Sequence, residues 1–591
     1  MLSSPYMASL EEKRHTLAHV LASAVLERYP HAKPTIGPAI DTGFYYDFDF
    51  SGGETPGEAD LASLEEAMRD MLPTWETMQG TEVSETDARA RFAGNPYKLE
   101  IIDGIAATNE SITLYTAGGF TDLCRGGHSE HPARDIKADS FTLERIAGAY
   151  WRGDEKNPML TRIVGLAFET KDELEAYALQ QEAARARDHK KLGKELDLFT
   201  FSETVGKGLP LWTPKGATIR RELERFIVDE EIQRGYLHVN TPDIAKLDLY
   251  KKSGHYPHYK ESMYAPIDID GDEFMLRPMT CPHHFELYMR KPFTYRQLPM
   301  RIAELAQLYR YEQSGELSGL ERVRTFCLAD AHIICTSEEQ AVEEIGGALD
   351  LIEYVAGVFG LTQGSDFSYR LSLGNRNDSE KYYQDDAAWE KGERLLRELL
   401  TNRHANFVEA PDEAAFYGPK IDIQMRNVNG KENTAFTVQY DFCMPNRFDL
   451  TYIASDGTHK RAFVVHRSSI GAIERIMAFL IEKYAGAFPL WLSPTQVCVL
   501  PVSEKHTEYA EQVATALRAH HVRVETDEAS ESLGKRIRAA KMEKIPYVLV
   551  VGDTEVEAQT VSVESRDQGK LEPQALDAFV AKVKEEIAAR A

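Results

Sequence analysis

The chain has 591 residues, and at about 150 residues per domain three to five domains are expected. Its 94 acidic and 68 basic residues leave a formal charge of −26. That argues against a protein that coats nucleic acid by overall charge, but not against an enzyme with local basic patches. Hydrophobic residues at 43% and aromatic residues at 10% exclude wholesale disorder. No run of about 18 apolar residues occurs, so no membrane span is expected. The N-terminus lacks an apolar stretch with a small-residue cleavage site, so no secretory signal is expected. Six scattered cysteines (Cys124, Cys281, Cys327, Cys335, Cys443 and Cys498) make no disulfide framework and point to a reducing cytoplasm.

In chain order, residues 10–29 predict an amphipathic helix, with Leu17, Val20, Leu21, Ala24 and Val25 at helical spacing. Extended runs follow at Thr35–Ile40 and Gly43–Phe50, then a loop at Ser51–Asp60 and a helix over Leu61–Met78. Residues 110–168 mix short strands with Gly-rich turns. Residues 1–170 thus read as a first, α+β unit. Within it His15 and His19 lie four apart on one helix face, and Cys124 and His128 are also four apart. No Glu follows His15, so this is not a zincin helix. Spacing alone leaves a metal site and an ordinary polar cluster both open. Residues 171–197 form a polar helical linker with Arg185, Arg187, Lys190, Lys191 and Lys194. That stripe is either a solvated face or a contact for a phosphate backbone.

Residues 198–490 form a large unit, and residues 491–591 alternate strands with helices as a small α/β domain. Those strands are expected at Val497–Val502, Val522–Glu525, Tyr547–Gly552 and Val561–Glu564. Inside the large unit, Arg301–Glu312 and Glu321–Cys335 are strand-like and flank a Gly- and Ser-rich loop, Gln313–Leu320. Period-two alternation puts Arg322, Arg324, Phe326, Leu328, Asp330 and His332 on one face of the second strand, and Arg310 and Glu312 share a face of the first, so the two strands offer these groups to one place. Guanidinium forks match phosphate oxygens, and Phe326 is suited to stack on a base. A nucleoside triphosphate is the natural ligand. Neither a P-loop nor a Rossmann glycine motif is present, so the site is of another kind.

These segments resemble motif 2 of the class II aminoacyl-tRNA synthetases, and specifically the threonyl-tRNA synthetase family of class IIa. The resemblance is carried by Arg277–Pro282, Tyr309–Glu312, Arg322–Arg324, Asp330–His332, Phe416–Ile421 and Val465–Arg467. A motif 1-like Val239–Pro242 and a motif 3-like Gly471–Arg475 sit in the expected order. The resemblance implies an antiparallel-sheet catalytic domain, an editing domain shared with alanyl-tRNA synthetases, and a C-terminal α/β anticodon-binding domain. It lacks the family's N-terminal ubiquitin-like domain. The implied reaction is ATP-dependent attachment of L-threonine to tRNA(Thr) through a threonyl-adenylate, in a cytoplasmic homodimer with no DNA or membrane partner.

The resemblance also assigns roles. Arg310 holds the α-phosphate and Arg475 the far phosphates; Glu312 meets the adenine edge and Phe326 stacks on the ring. Arg322, Lys420 and Gln439 complete the catalytic set, and Mg²⁺ enters with ATP. Cys281, His332 and His466 match the family's zinc ligands, one zinc per subunit, although singly each reads as a buried Cys or a core His. Met279, Tyr417 and Asp330 line the amino-acid pocket, where a metal that demands a hydroxyl rejects valine. His15, His19, Tyr46, Lys98, Asp122, Cys124 and His128 match a hydrolytic site that removes mischarged serine without a required metal. Glu555 matches a reader of an anticodon base. Glu564 stands where the family usually has Arg, and Arg566 is the substitute expected on the same strand face. The basic helix with Lys535, Arg536, Arg538, Lys541 and Lys544 is the expected backbone contact. Leu328-Ala329, Thr434-Ala435-Phe436 and Gly127 depart from the family pattern and imply an altered pocket rim. Two other readings compete: an alanyl-type synthetase or free editing hydrolase, and a synthetase-like paralogue that senses threonine or tRNA without charging it.

Overall fold

A computed structural model describes residues 7–590. The chain divides into two compact units, residues 1–182 and 183–591. In the first, the helix Leu10–Arg28 starts at a capping box in which Ser9 and Glu12 satisfy each other's backbone N–H groups. Leu17, Val20, Leu21, Ala24 and Val25 are buried in one core with Phe44, Tyr46 and Phe48. Those aromatics come from the strand Gly43–Asp49, which pairs antiparallel with Met159–Ala167, itself paired with Phe141–Tyr150. The expected run Thr35–Ile40 is instead two short pieces, Lys33–Pro34 and Ala39–Ile40, both paired with the same strand. The expected helix Leu61–Met78 stops at Met71 and tightens into a single 3-10 turn over Leu72–Thr74, where Pro73 has no N–H to give. A second, three-stranded antiparallel sheet of Gln79–Val83, Ile112–Ala117 and Phe120–Leu123 carries Asp122 on its last strand.

The linker is two helices rather than one, Lys171–Arg187 and His189–Glu195. Asp188 breaks it by capping the N–H of Lys190. The second helix buries His189, Leu192 and Gly193.

The large sheet of the second unit has eight strands. Their order is Leu237–His238, Met300–Tyr309, Thr325–Cys335, Phe463–Ala472, Glu432–Asp441, Lys420–Arg426, Phe367–Ser372 and Phe407–Ala410. Only the two edge pairings are parallel. One face is apolar: Cys327, Ala329, Ala331 and Ile333 point into the main core beneath the helices Pro214–Gln233, Glu338–Val358 and Ile473–Lys483. The side chains between them face the other way, as alternation predicts. The two central strands end earlier than expected, at Tyr309 and Thr325. Beyond them a last cross-bond, Arg310 N–H to Arg324 O at 3.0 Å, precedes the turn of the arms to other partners: Tyr311 N–H bonds Ser262 O and Arg324 N–H bonds Gly208 O. Arg310, Glu312, Arg322 and Arg324 therefore stand on loop arms, not on paired strand.

The C-terminal region is a mixed sheet in the order Val524–Thr526, Val497–Pro501, Tyr547–Val551, Thr560–Ser565 and Gly569–Lys570, the first three parallel. The helices Thr507–Arg518, Leu533–Met542 and Leu576–Ala588 accompany it, in the expected alternation with the strands. Among the described residues no helix is long and apolar enough to cross a membrane.

Candidate active site

Strand register assembles the site on the polar face of the large sheet. Lys420 lies opposite Gln439, Gln439 opposite His466, and His466 opposite His332, so four adjacent strands present one row. Two residues along, Glu304, Asp330, Ser468, Thr437 and Asp422 form a second row on the same face. A bulge between Leu328 and Asp330 interrupts the pairing beside it, a device common next to active sites.

Cys281, at the start of the helix Cys281–Met289, meets His332 and His466 so that one donor atom of each lies within 4.8 Å of the others. All three are buried. His466 donates from Nε2 to Asp441 Oδ2 at 2.7 Å, which leaves its Nδ1 bare. His332 is set by a longer relay. Burial pushes the Glu304 carboxyl up, but His284, Thr241 and Arg277 prevail and hold it at about 2. Ionised, it only accepts, so His284 donates from Nε2 at 3.2 Å. With His284 Nδ1 as acceptor, the 2.8 Å contact takes Nδ1–H of His332, and Nε2 of His332 is left bare. Two bare imidazole nitrogens and a thiol, each ring oriented by a carboxylate-terminated chain, form a donor set that suits zinc. Burial, then His466 and His284, drives His332 well below its ordinary range, which keeps it in the neutral form a metal needs. Burial, then Asp330 and Asp441, drives the Cys281 thiol well above its range, a cost that a bound cation reverses. His255, with Nε2 at 3.6 Å from Cys281 Sγ, stands beside the cluster and is held neutral, at about 3, by burial and neighbouring cations. Burial also lifts the Asp330 carboxyl.

Next to this cluster the cations gather. Arg310 lies against Met279 Sδ at 3.3 Å and over the Phe326 ring at 5.1 Å. Arg475 donates to Glu321 O at 2.9 Å and Thr434 O at 2.5 Å. Burial, then Arg310 and Arg322, lowers the Arg475 guanidinium: three cations crowd one place, as an anion site requires. Arg322 is paired with Glu312 at 2.9 Å, and Lys420 with Asp422 at 2.9 Å. Tyr417 hydrogen-bonds Gln439 and stacks on His466 with ring centroids 4.8 Å apart. The residue-by-residue reading missed His284, Glu304 and Asp441. Their only sequence signal is the doubled histidine, His283-His284, just after Cys281-Pro282.

The first unit brings its seven candidates into one cluster. His128 Nε2 is 3.1 Å and His15 Nε2 3.6 Å from Cys124 Sγ. Asp122, almost fully buried, takes Lys98 Nζ at 2.6 Å, Tyr46 Oη at 2.5 Å and His19 Nδ1 at 3.2 Å. Burial opposes the Cys124 thiolate, yet His128, His15 and His19 pull the thiol down to about 3. Burial, with His19 and His15, holds His128 at about 4. Gly127 sits at φ +80°, which a proline could not adopt, and its carbonyl lies 3.2 Å from His15 Nδ1. Tyr46 reaches Asp122 from the strand Gly43–Asp49, and Lys98 from the helix Pro96–Ala107.

At the C-terminal region, Glu555 accepts from its own helix start, Gly552 N, and from Ser562 Oγ. Glu564 pairs with Lys541 at 2.5 Å. Arg566 lies one residue beyond the strand and commits its fork to Phe488 O, Lys544 O and Asp567. Arg536 is likewise turned inward, to Pro501 O and Glu531 O.

Residues 264–484 match the tRNA synthetase class II core domain (G, H, P, S and T), and residues 496–586 match the anticodon binding domain. The chain is 48% identical to a threonine–tRNA ligase of Anoxybacillus flavithermus over 98% of its own length and 89% of the relative's. It is 49% identical to one of Clostridium botulinum, with the same coverage of both chains. The solved RNA binding domain of threonyl-tRNA synthetase from Cryptosporidium parvum is 36% identical with a TM-score of 0.64. That match covers 68% of this chain and 98% of the other. The chain belongs to the threonine–tRNA ligase family.

Proposed function

We propose that the chain activates L-threonine with ATP and transfers it to tRNA(Thr), and that its first unit hydrolyses mischarged seryl-tRNA(Thr). The observation that carries this is the Cys281–His332–His466 cluster beside Asp330, on the sheet face that also presents Gln439 and Lys420. Cys281, His332 and His466 would hold zinc, and the ion would act as a Lewis acid able to take both the amino and the hydroxyl group of threonine. Asp330 accepts a hydrogen bond from that hydroxyl, and Met279 and Tyr417 close the pocket. Arg310 and Arg475 hold the triphosphate, Phe326 stacks on adenine and Glu312 meets its edge. Lys420, Gln439 and Arg322 offset charge as the threonine carboxylate attacks the α-phosphorus in line. These residues act by positioning and electrostatics, and Mg²⁺ arrives with the ATP. Valine fails for want of a hydroxyl, whereas serine has one and is smaller, so a second sieve is needed. There Lys98, Tyr46 and Asp122 hold the substrate, while His15, His19, Cys124 and His128 position a water. We assign the chain to a cytoplasmic homodimer, with Glu555 among its anticodon contacts. The test is amino-acid-dependent exchange of pyrophosphate into ATP with zinc-replete protein. Strong exchange with threonine, weaker with serine and none with valine is expected. Exchange with alanine, or none with any amino acid, overturns the reading.

A further inference from the structure

Outside the rows described above, one buried histidine joins three segments that the reaction uses. His189, on the second linker helix, is 2% exposed. Leu320 N–H donates to its Nε2 at 3.1 Å, so that nitrogen carries no proton. Its Nδ1–H therefore donates to Glu482 Oε1 at 2.7 Å, and the ring is neutral with one defined tautomer. Glu482 is two turns beyond Arg475 on the helix Ile473–Lys483, and its other oxygen accepts Val428 N–H at 3.3 Å. The preceding residue, Asn427, donates to Glu321 Oε1 at 3.1 Å, and Glu321 O receives Arg475 Nε at 2.9 Å. The bonds close a ring: His189, the arm Leu320-Glu321, Arg475, Glu482 and back. Gly319 belongs to it. It sits at φ +48°, and a Cβ there would lie 2.1 Å from His189 Nε2.

We propose that His189 is a positioning residue for ATP. It anchors the C-terminal arm of the Gln313–Leu320 loop and, through Glu321, aims the guanidinium of Arg475. Arg475 spends only part of its fork on Glu321 O and Thr434 O, and the ring decides where the remaining N–H groups point. Without His189 the Leu320 N–H is buried unpaired and the arm is free to shift. This rests on the reading that Arg475 holds phosphates.

The experiment compares wild type, His189→Ala, His189→Gln and Gly319→Ala, by threonine-dependent pyrophosphate exchange and by direct calorimetric titration with ATP-Mg²⁺. In His189→Ala, KM and Kd for ATP rise about tenfold, the loss of one buried hydrogen bond, while KM for threonine and zinc content are unchanged. His189→Gln, whose amide supplies one acceptor and one donor, recovers most of the affinity. Gly319→Ala, whose Cβ presses on His189 Nε2, reproduces the ATP defect with the imidazole itself retained. A folded His189→Ala variant with unchanged ATP affinity overturns the proposal, as does an equal rise in both KM values or a Gln variant no better than Ala. If His189→Ala does not fold, Gly319→Ala with normal ATP affinity overturns it. If wild type shows no threonine-dependent exchange, the activity reading fails; the ATP titrations alone then decide the role of His189.

Discussion

The two units each gather cysteine and histidine into a cluster, half-buried in the first and fully buried in the second, and surround the thiol with opposite charge. In the first, Cys124 is surrounded by three imidazoles and its thiol falls to about 3. In the second, Cys281 is buried with Asp330 and Asp441 near it, and its thiol rises. The histidines differ as well. His332 and His466 are tied through hydrogen bonds to carboxylates, which leaves a bare nitrogen on each. His15 and His128 spend their Nε2 atoms on Cys124 itself. Both groups bring one donor atom of each residue within 4.8 Å of the others, so residue type and proximity do not separate them; the charges around the thiol do differ.

The comparison breaks most sharply on metal content. Cys281→Ser is expected to empty the zinc site and lower threonine-dependent exchange by about 10³-fold, the several kcal/mol of a positioned cation. Elemental analysis showing undiminished zinc in that variant would refute the ligand assignment, and two zinc ions in the wild type would erase the contrast between the clusters. Next in size, Cys124→Ala or His19→Ala is expected to slow deacylation of seryl-tRNA(Thr) by about 10²-fold while leaving exchange intact. Equal losses in both assays would show that the two sites are not separable. His284→Ala probes the relay behind His332. Zinc affinity is expected to drop about 10- to 100-fold, read by competition with a chelator, and unchanged affinity would remove His284 from the site. The smallest effect is on stability. The folded pKa of His128 is depressed, from 6.5 to about 4. Below pH 6.5 the unfolded chain takes up a proton there that the folded chain refuses. The contribution of His128 is therefore present in full above pH 6.5 and is lost as pH falls from 6.5 to 4, by on the order of 1 kcal/mol for each pH step of one. Urea midpoints of wild type and His128→Gln should diverge at pH 7 and converge near pH 4. Parallel curves would show that His128 is not held neutral.

Much of this was legible from local pattern. The pairs His15/His19 and Cys124/His128 are four residues apart, and the alternation across Thr325–Cys335 separates Asp330 and His332 from Ala329, Ala331 and Ile333. The helix period accounts for His15/His19 and the strand period for Asp330/His332, whereas Cys124 and His128 lie in the loop after Phe120–Leu123, where no period applies. Less legible was where elements stop. Tyr309 and Thr325 end the central pair because Ser262 and Gly208 offer their backbones to the arms beyond. The fate of Arg566 was not legible at all, since Phe488 O and Lys544 O come from distant segments. By itself the sequence determined the elements, their buried faces and which residues belong to a recognisable family pattern. Tertiary structure alone decided that Lys420, Gln439, His466 and His332 share a row. It alone turned His284 and Glu304 into a relay behind His332 and brought His189 to the end of the Gln313–Leu320 loop. These depend on register and packing between segments far apart in the chain, and local periodicity carries no information about either.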